Sequence, residues 1–328
     1  MTVCYVAMRE GVLVVDGAAG DAPTGDHVFE GHQVECLTAG PDDARAFCGT
    51  FDAGLHRTTD GGETWHRVGR DVLAESVTSV AVSPHDADVV YAGTEPSAVF
   101  RSADGGETWT ELDGLTDLPS ASSWSFPPRP HTHHVRWIEP DPHDADHLYV
   151  GVEAGALVQT HDGGETWEDR LPSARRDTHS MATHPDEPGR AWTAAGDGYA
   201  ETRDGGETWH HPQAGLDHRY CWSVAVDSSR VLLSAAQSAR AAHNVGDAES
   251  YLYRREGDEE WERLDAGIPT GAGVARAVLA RGHSEGAFYA VTNHGLFRTD
   301  DGGDSFARVA VDWPDAFERQ LPRGLAVV

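Results

Sequence analysis

Lysine is absent from this chain of 328 residues. All 25 basic residues are therefore arginine, set against 54 Asp and Glu, for a formal net charge of −29. A polybasic groove for DNA or RNA is excluded as the main function, because binding phosphate needs a net positive surface. No apolar run approaches the length that spans a bilayer, so no membrane partner is expected. The first ten residues, Met1 to Glu10, hold neither a basic segment nor a long apolar core and do not fit a secretory signal. Cysteine is scarce: Cys4, Cys36, Cys48 and Cys221 show no CxxC spacing. With no export signal they are expected to be reduced and structural, in a cytoplasmic protein.

An acidic balance this large fits either a disordered acidic chain or a halophile's cytosolic protein. The 10 Trp, the 36 Gly and the regular apolar runs argue against disorder. The second reading spreads carboxylates over the surface and screens their repulsion in molar salt, where the Debye length is about 3 Å.

What is present is a repeat. The octapeptide Thr58-Thr59-Asp60-Gly61-Gly62-Glu63-Thr64-Trp65 returns as Ser102 to Trp109, Thr160 to Trp167 and Thr202 to Trp209. A looser copy runs from Thr299 to Phe306, and a degenerate one from Arg254 to Trp261. The closing aromatics at 65, 109, 167, 209, 261 and 306 are spaced by 44, 58, 42, 52 and 45 residues. Each copy ends a unit of four short apolar strands separated by turn residues, the pattern of a β-propeller blade. The Asp and Thr side chains hydrogen-bond the local backbone, the Gly pair supplies positive φ, and the Trp plugs the blade.

These residues match the Asp-box (BNR repeat) pattern S/T-x-D-x-G-x-T/S-W/F. The chain resembles the Asp-box β-propellers: sialidases, two-domain xyloglucanases, sortilin-type receptors and photosystem-assembly factors of the YCF48 type. The resemblance implies an all-β propeller in which Asp60, Asp104, Asp162, Asp204 and Asp301 are peripheral turn formers, away from any active site. Six units end at the six aromatics, over about 33–68, 77–112, 134–170, 177–211, 220–264 and 274–309. The two termini supply a seventh blade: 323–328 as inner strand, then 3–7, 12–15 and 27–30. A single seven-bladed domain over 1–328 is expected, closed by pairing of the chain ends.

Strand order puts the long segments 113–132 and 237–250 on the face opposite the Asp boxes, where loops on a rigid scaffold carry function. Aligning the inner strands on Leu37, Val80, Ile138, Met181, Val224, Val278 and Leu325 puts Glu35, Thr78, Arg136, His179, Trp222, Arg276 and Arg323 two residues earlier. Period-2 alternation makes these an equivalent ring near one mouth of the central channel. Two residues earlier again stand Gln33, Ser76, His134, Asp177, Tyr220, Val274 and Leu321.

Three arginines converging on one channel call for an anion, and the planar guanidinium fork suits carboxylate, sulfate or phosphate. Arg136, Arg276 and Arg323, with His134, Tyr220 and Trp222, are the expected ligand-binding residues for an anionic small molecule or sugar. Glu35, Asp177 and His179 are the candidates for proton transfer in a glycoside-hydrolase-like or lyase reaction. Sialidases likewise use an arginine triad for a substrate carboxylate. This chain departs from them, with no Arg-Ile-Pro segment before the first Asp box and seven blades where they have six. The second strand–third strand loops add Glu10, Asp52, Glu95, Glu153 and Asp197 to the same face. Two alternatives stay open. One is a non-catalytic scaffold with a protein partner, predicting an exposed apolar patch around Trp124 and Phe126. The other is a divalent metal held by channel histidines, although no HExxH or other local metal motif is present.

Overall fold

In a computed structural model, which describes residues 2–41 and 44–328, seven antiparallel sheets form a ring of blades. The protein is a seven-bladed β-propeller, as the repeat predicts. In chain order the inner strands are Val34–Ala39, Val77–Val82, Val135–Pro140, Thr178–Thr183, Tyr220–Val226 and Val278–Arg281 (blades 1 to 6). Blade 7 takes its inner strand, Pro322–Val327, from the end of the chain, and Val3–Met8, Gly11–Asp16 and Thr24–Val28 from its start. The two ends pair antiparallel from Cys4 opposite Val327 to Met8 opposite Pro322. Val3 and Val328 exchange both backbone hydrogen bonds, at 2.7 and 2.9 Å. Closure leaves no inner strand edge for another chain to template. The outermost strand of blade 7 begins three residues before its expected start at 27. In blades 3 and 4 the outer strand shrinks to single bridges, Gln159 to Glu168 and Glu201 to His210. No helix among the described residues is long and apolar enough to cross a membrane.

The Asp boxes close the outer hairpins with nearly identical geometry. In blade 2 the Ser102 hydroxyl donates to Asp104 (2.8 Å) and accepts from the Gly106 amide (2.8 Å). The Asp104 carboxylate then accepts from the Thr108 amide (2.8 Å) and hydroxyl (2.6 Å). The Trp109 indole is buried and donates to the Gly106 carbonyl. Both glycines of the box, Gly105 and Gly106, have positive φ, 68° and 92°, which a β-carbon would strain. The box carboxylates of Asp60, Asp104 and Asp162 are held near a pKa of 2 by the Thr hydroxyl and amide that bond them. Arginines then staple neighbouring blades: Arg57 of blade 1 reaches the Gly105 carbonyl and Glu107 of blade 2, and Arg254 of blade 5 reaches the Gly302 carbonyl and Asp304 of blade 6.

The inner strands share a second feature, absent from the expectation of plain alternation. In blades 1 to 5 the register against the second strand slips at one residue, leaving Glu35, Thr78, Arg136, His179 and Trp222 without a partner opposite. In blade 7 the residue skipped is Arg323. A β-bulge kinks its strand and re-aims the extra side chain. In blade 6, Arg276 lies before the ladder begins, and the Asn293 side chain takes the preceding amide of Ala275 (2.8 Å) in place of a backbone partner. The ring residues are thus those released from regular pairing at one end of each inner strand.

The four cysteines are buried and free. Burial pushes the thiols of Cys4, Cys36 and Cys221 up to about 12, so they serve packing rather than nucleophilic chemistry.

Candidate functional site

Inner-strand side chains from six blades, 1 and 3 to 7, come together at the channel end opposite the Asp boxes. Trp222 sits among cations: the Arg276 guanidinium carbon lies 3.4 Å from its ring centroid and that of Arg136 lies 5.0 Å away. Cation–π attraction of this kind strengthens when the pair is removed from water. Arg276 has no exposure at all. Its Nη1 donates to the Pro322 carbonyl (3.3 Å), while Nε and Nη2 have no hydrogen-bond partner among the described residues. Burial lowers the Arg276 pKa well below its ordinary value, and the charges of Arg323 and Arg136 add to the shift. Arg323 pairs with Glu35 at 3.1 Å and leaves its own Nε unpartnered.

Beside the arginines lies a cluster centred on Glu153, at the end of the second strand of blade 3. His134 Nε2 lies 2.9 Å from Glu153 Oε2, and Arg136 Nε lies 3.6 Å from the same oxygen. The second carboxylate oxygen, Oε1, lies 4.0 Å from His179 Nε2. Burial alone would raise the pKa of Glu153. The hydrogen bond from His134, with the charges of His134, His179 and Arg136, outweighs it and keeps Glu153 below the carboxylate range. Asp177, partly exposed, lies 3.7 Å from His179 Nε2 and is pushed upward, first by burial. His179 is fully enclosed. Its Nδ1 bonds the Cys221 carbonyl at 2.7 Å, which makes Nδ1 the protonated nitrogen and turns the Nε2 lone pair inward. Burial lowers its pKa against the pull of Asp177 and Glu153.

The long segments complete the site. Segment 237–250 forms a short helix, Ala239–His243, capped by the Ser238 hydroxyl. It delivers His243 over the edge of Trp222, with ring centroids 5.3 Å apart. The Tyr220 hydroxyl lies between two imidazoles, 2.8 Å from His243 Nε2 and 3.4 Å from His179 Nε2. Segment 113–132 is tied down by a two-pronged ion pair from Arg129 Nε and Nη2 to Glu95, at 2.8 and 2.5 Å. Glu95 in turn lies 3.6 Å from His134 Nδ1.

Of the expected residues, Asp177, His179, His134, Arg136, Tyr220, Trp222 and Arg276 fall within one connected cluster. Glu35 and Arg323 pair with each other at its margin. Two expectations are corrected. The ring does not line an open mouth: Arg136, His179, Trp222 and Arg276 are buried, and the approach runs past partly exposed Asp177, Tyr220, Glu35 and Arg323. Bulged strands turn these bulky side chains inward and fill the space. The open part of the channel, about 460 Å³, lies at the Asp-box mouth, where Leu37, Val80, Ile138, Met181, Val224 and Leu325 line it. Nor is there an exposed apolar patch at Trp124 and Phe126. Trp124 is buried with its indole bonded to Ser120, and Phe126 packs against His134 and Arg129. Among the described residues the one exposed large apolar side chain is Val72.

Two residues had little signal in the sequence. Glu153 stood there as one loop acid among five. What distinguishes it is its place directly after a strand whose partner begins at His134, since the Glu153 amide bonds the His134 carbonyl. For His243 the chain marked only the face of its segment, because its place over Trp222 depends on how the 237–250 excursion folds back.

The BNR/Asp-box repeat family matches residues 56–67. No curated sequence matches the chain. Solved structures resemble it as folds: an ancestral GH74 enzyme (TM-score 0.64, 15% identity) and a GH74 enzyme from Niastella koreensis (0.67, 17%). Each alignment covers 91% of this chain, but only 38% and 50% of the respective GH74 chains, so this chain spans half their length or less. YCF48 bound to D1 peptide aligns at TM-score 0.57 and 17% identity, over 85% of this chain and 82% of that one. YCF48 from Cyanidioschyzon merolae gives TM-score 0.57 and 16% identity, over 84% and 85%. The chain is an Asp-box β-propeller.

Proposed function

We propose that the arginine-lined end of the channel binds a small molecule bearing a carboxylate or a similar oxyanion, an acidic sugar being the leading class. The observation that carries this reading is Arg276: a fully buried guanidinium with two unpartnered nitrogens, facing two further arginines. A buried cation in that state is costly unless an anion completes it. Guanidinium nitrogens in a planar fork match two carboxylate oxygens at once. The likeness to GH74 enzymes supports a hydrolase- or lyase-type reaction on such a ligand, with Asp177, the partly exposed carboxylate beside the cluster, as the proton-transfer group. Calorimetric titration with a panel of uronic and sialic acids, beside their neutral counterparts, tests it. Wild-type protein should bind an acid and not its neutral counterpart, and Arg276→Ala/Arg323→Ala should bind it at least 100-fold more weakly. Equal binding by the double variant, or no preference for acids, would overturn the reading.

A peptide ligand is the second reading. It is favoured by the match to YCF48, which extends over most of both chains and includes a peptide-bound structure. Acidic peptides in the same panel separate the two.

A further inference from the structure

The groups beside the arginines do more than surround an anion. Among the described residues, Glu153, His179 and His243 each present one ligand atom, and these atoms lie within 4.8 Å of one another. Two more donors aim at the same space: the Tyr220 hydroxyl lies 3.4 Å from His179 Nε2, and Asp177 Oδ2 lies 3.7 Å from it. A tetrahedral ion with bonds of about 2.1 Å sets its donors about 3.4 Å apart. From His179 Nε2 the separations are 3.4 Å to Tyr220, 3.7 Å to Asp177 and 4.0 Å to Glu153, so the shell closes when Glu153 and His243 draw inward around the ion.

The surrounding contacts are those that orient metal ligands. His179 is held by its Nδ1–H on the Cys221 carbonyl, so the Nε2 lone pair points inward, toward Tyr220, Asp177 and Glu153. Glu153 is fixed through Oε2 by His134 and Arg136, leaving Oε1 for the ion. We infer that Glu153, His179 and His243 form a binding site for a divalent transition-metal ion of the zinc, manganese or iron type, with Asp177 and Tyr220 at its margin. Two imidazoles and a carboxylate select such ions over magnesium and calcium, which prefer oxygen alone.

Electrostatics ties the ion to the arginines. Glu153 and Asp177 offset its two positive charges, which Arg136 and Arg276 would otherwise repel. An anionic ligand spanning the ion and the Arg276 fork then neutralises both, so this inference extends the anion-binding reading while being measurable without it. His243 is the most exposed ligand and arrives at the end of the Ala239–His243 helix. The blade scaffold alone therefore holds only part of the shell.

The test uses tag-free, full-length protein, stripped by chelator and loaded separately with Zn²⁺, Mn²⁺ or anaerobic Fe²⁺, and metal content is then measured. A Co²⁺ titration read by its visible absorption reports the coordination geometry of the bound ion. Wild-type protein should retain about one equivalent of at least one ion and develop Co²⁺ bands. His243→Ala lies on an exposed helix and should fold normally, checked by its thermal transition. It should weaken binding at least tenfold, and His179→Ala likewise. Arg276→Met should keep the metal while losing the anion; anion binding that this variant leaves unchanged would count against the previous reading and leave this one standing. Retention of less than a tenth of an equivalent of all three ions by wild-type protein would overturn the inference. So would metal binding that His243→Ala and His179→Ala leave unchanged.

Discussion

The two ends of this propeller use equivalent positions in opposite ways. At the periphery, Asp60, Asp104, Asp162, Asp204 and Asp301 occupy the same place in five blades and make the same contacts. The carboxylate-to-hydroxyl distance is 2.6 Å in four of them and 2.7 Å in the fifth. In each box the Asp carboxylate is bonded by the hydroxyl two residues before it and by the amide and hydroxyl four residues after it. On the inner strands, seven equivalent positions hold Glu, Thr, Arg, His, Trp, Arg and Arg, and Arg276 is left with unpartnered nitrogens. Equivalent positions that repeat one residue serve the hairpin each blade needs. Those that diverge, and bury charge at a cost to stability, serve something that occurs once per molecule.

The comparison can be broken at four points. The largest effect belongs to closure. Deleting residues 324–328 strips pairing from Val3–Met8 and opens an inner strand edge. The truncated protein should lose its cooperative unfolding transition and aggregate in size-exclusion chromatography; a monodisperse protein with unchanged melting would refute the closure. Next is the box aromatic. Trp109→Ala removes a buried plug and should lower unfolding free energy by about 3–5 kcal/mol in denaturant titration, with no change at the arginine end.

Arg276→Met should do the reverse. It exchanges a buried, poorly partnered cation for an unbranched apolar side chain that can still cover Trp222. Such exchanges are neutral or stabilising by about 1–4 kcal/mol. A gain in melting temperature coupled to loss of acid binding would set the ring apart from the boxes. Destabilisation instead would make Arg276 a structural residue.

The smallest effect is acidic. The carboxyls of Asp60, Asp104 and Asp162 sit near 2 in the folded protein, against an ordinary value of 3.8. A depressed folded pKa gives stability that is complete above the unfolded value and is lost as pH falls through the folded one. Melting temperature should therefore drop from about pH 4 toward pH 2. Asp104→Asn should show a shallower drop across that window, measured by scanning fluorimetry.

Much of this architecture was legible along the chain, for a physical reason. The side-chain contacts that shape an Asp box span four residues or fewer, as between Ser102 and Gly106 or Asp104 and Thr108, so that chemistry is written locally. The inner-strand period was equally readable, and it marked Arg136, His179, Trp222 and Arg276 as equivalent. It did not show the bulges, because a one-residue slip depends on the partner strand. Nor did it show that the ring is filled, because the space left for seven side chains depends on how seven blades close.

The sequence by itself determined seven blades and their closure through the chain ends, since both follow from the spacing of the repeat, while the peripheral place of the Asp boxes came from the resemblance to other Asp-box propellers. Only the tertiary structure decided which of the many carboxylates matters. Glu153 looks in the chain like Glu10, Asp52, Glu95 or Asp197. Folding puts it against His134, Arg136 and His179, residues 19, 17 and 26 positions away along the chain. His243 reaches the same cluster from a segment between two strands of another blade. Charge and coordination act through space, and in a propeller the space at the channel belongs to all the blades at once.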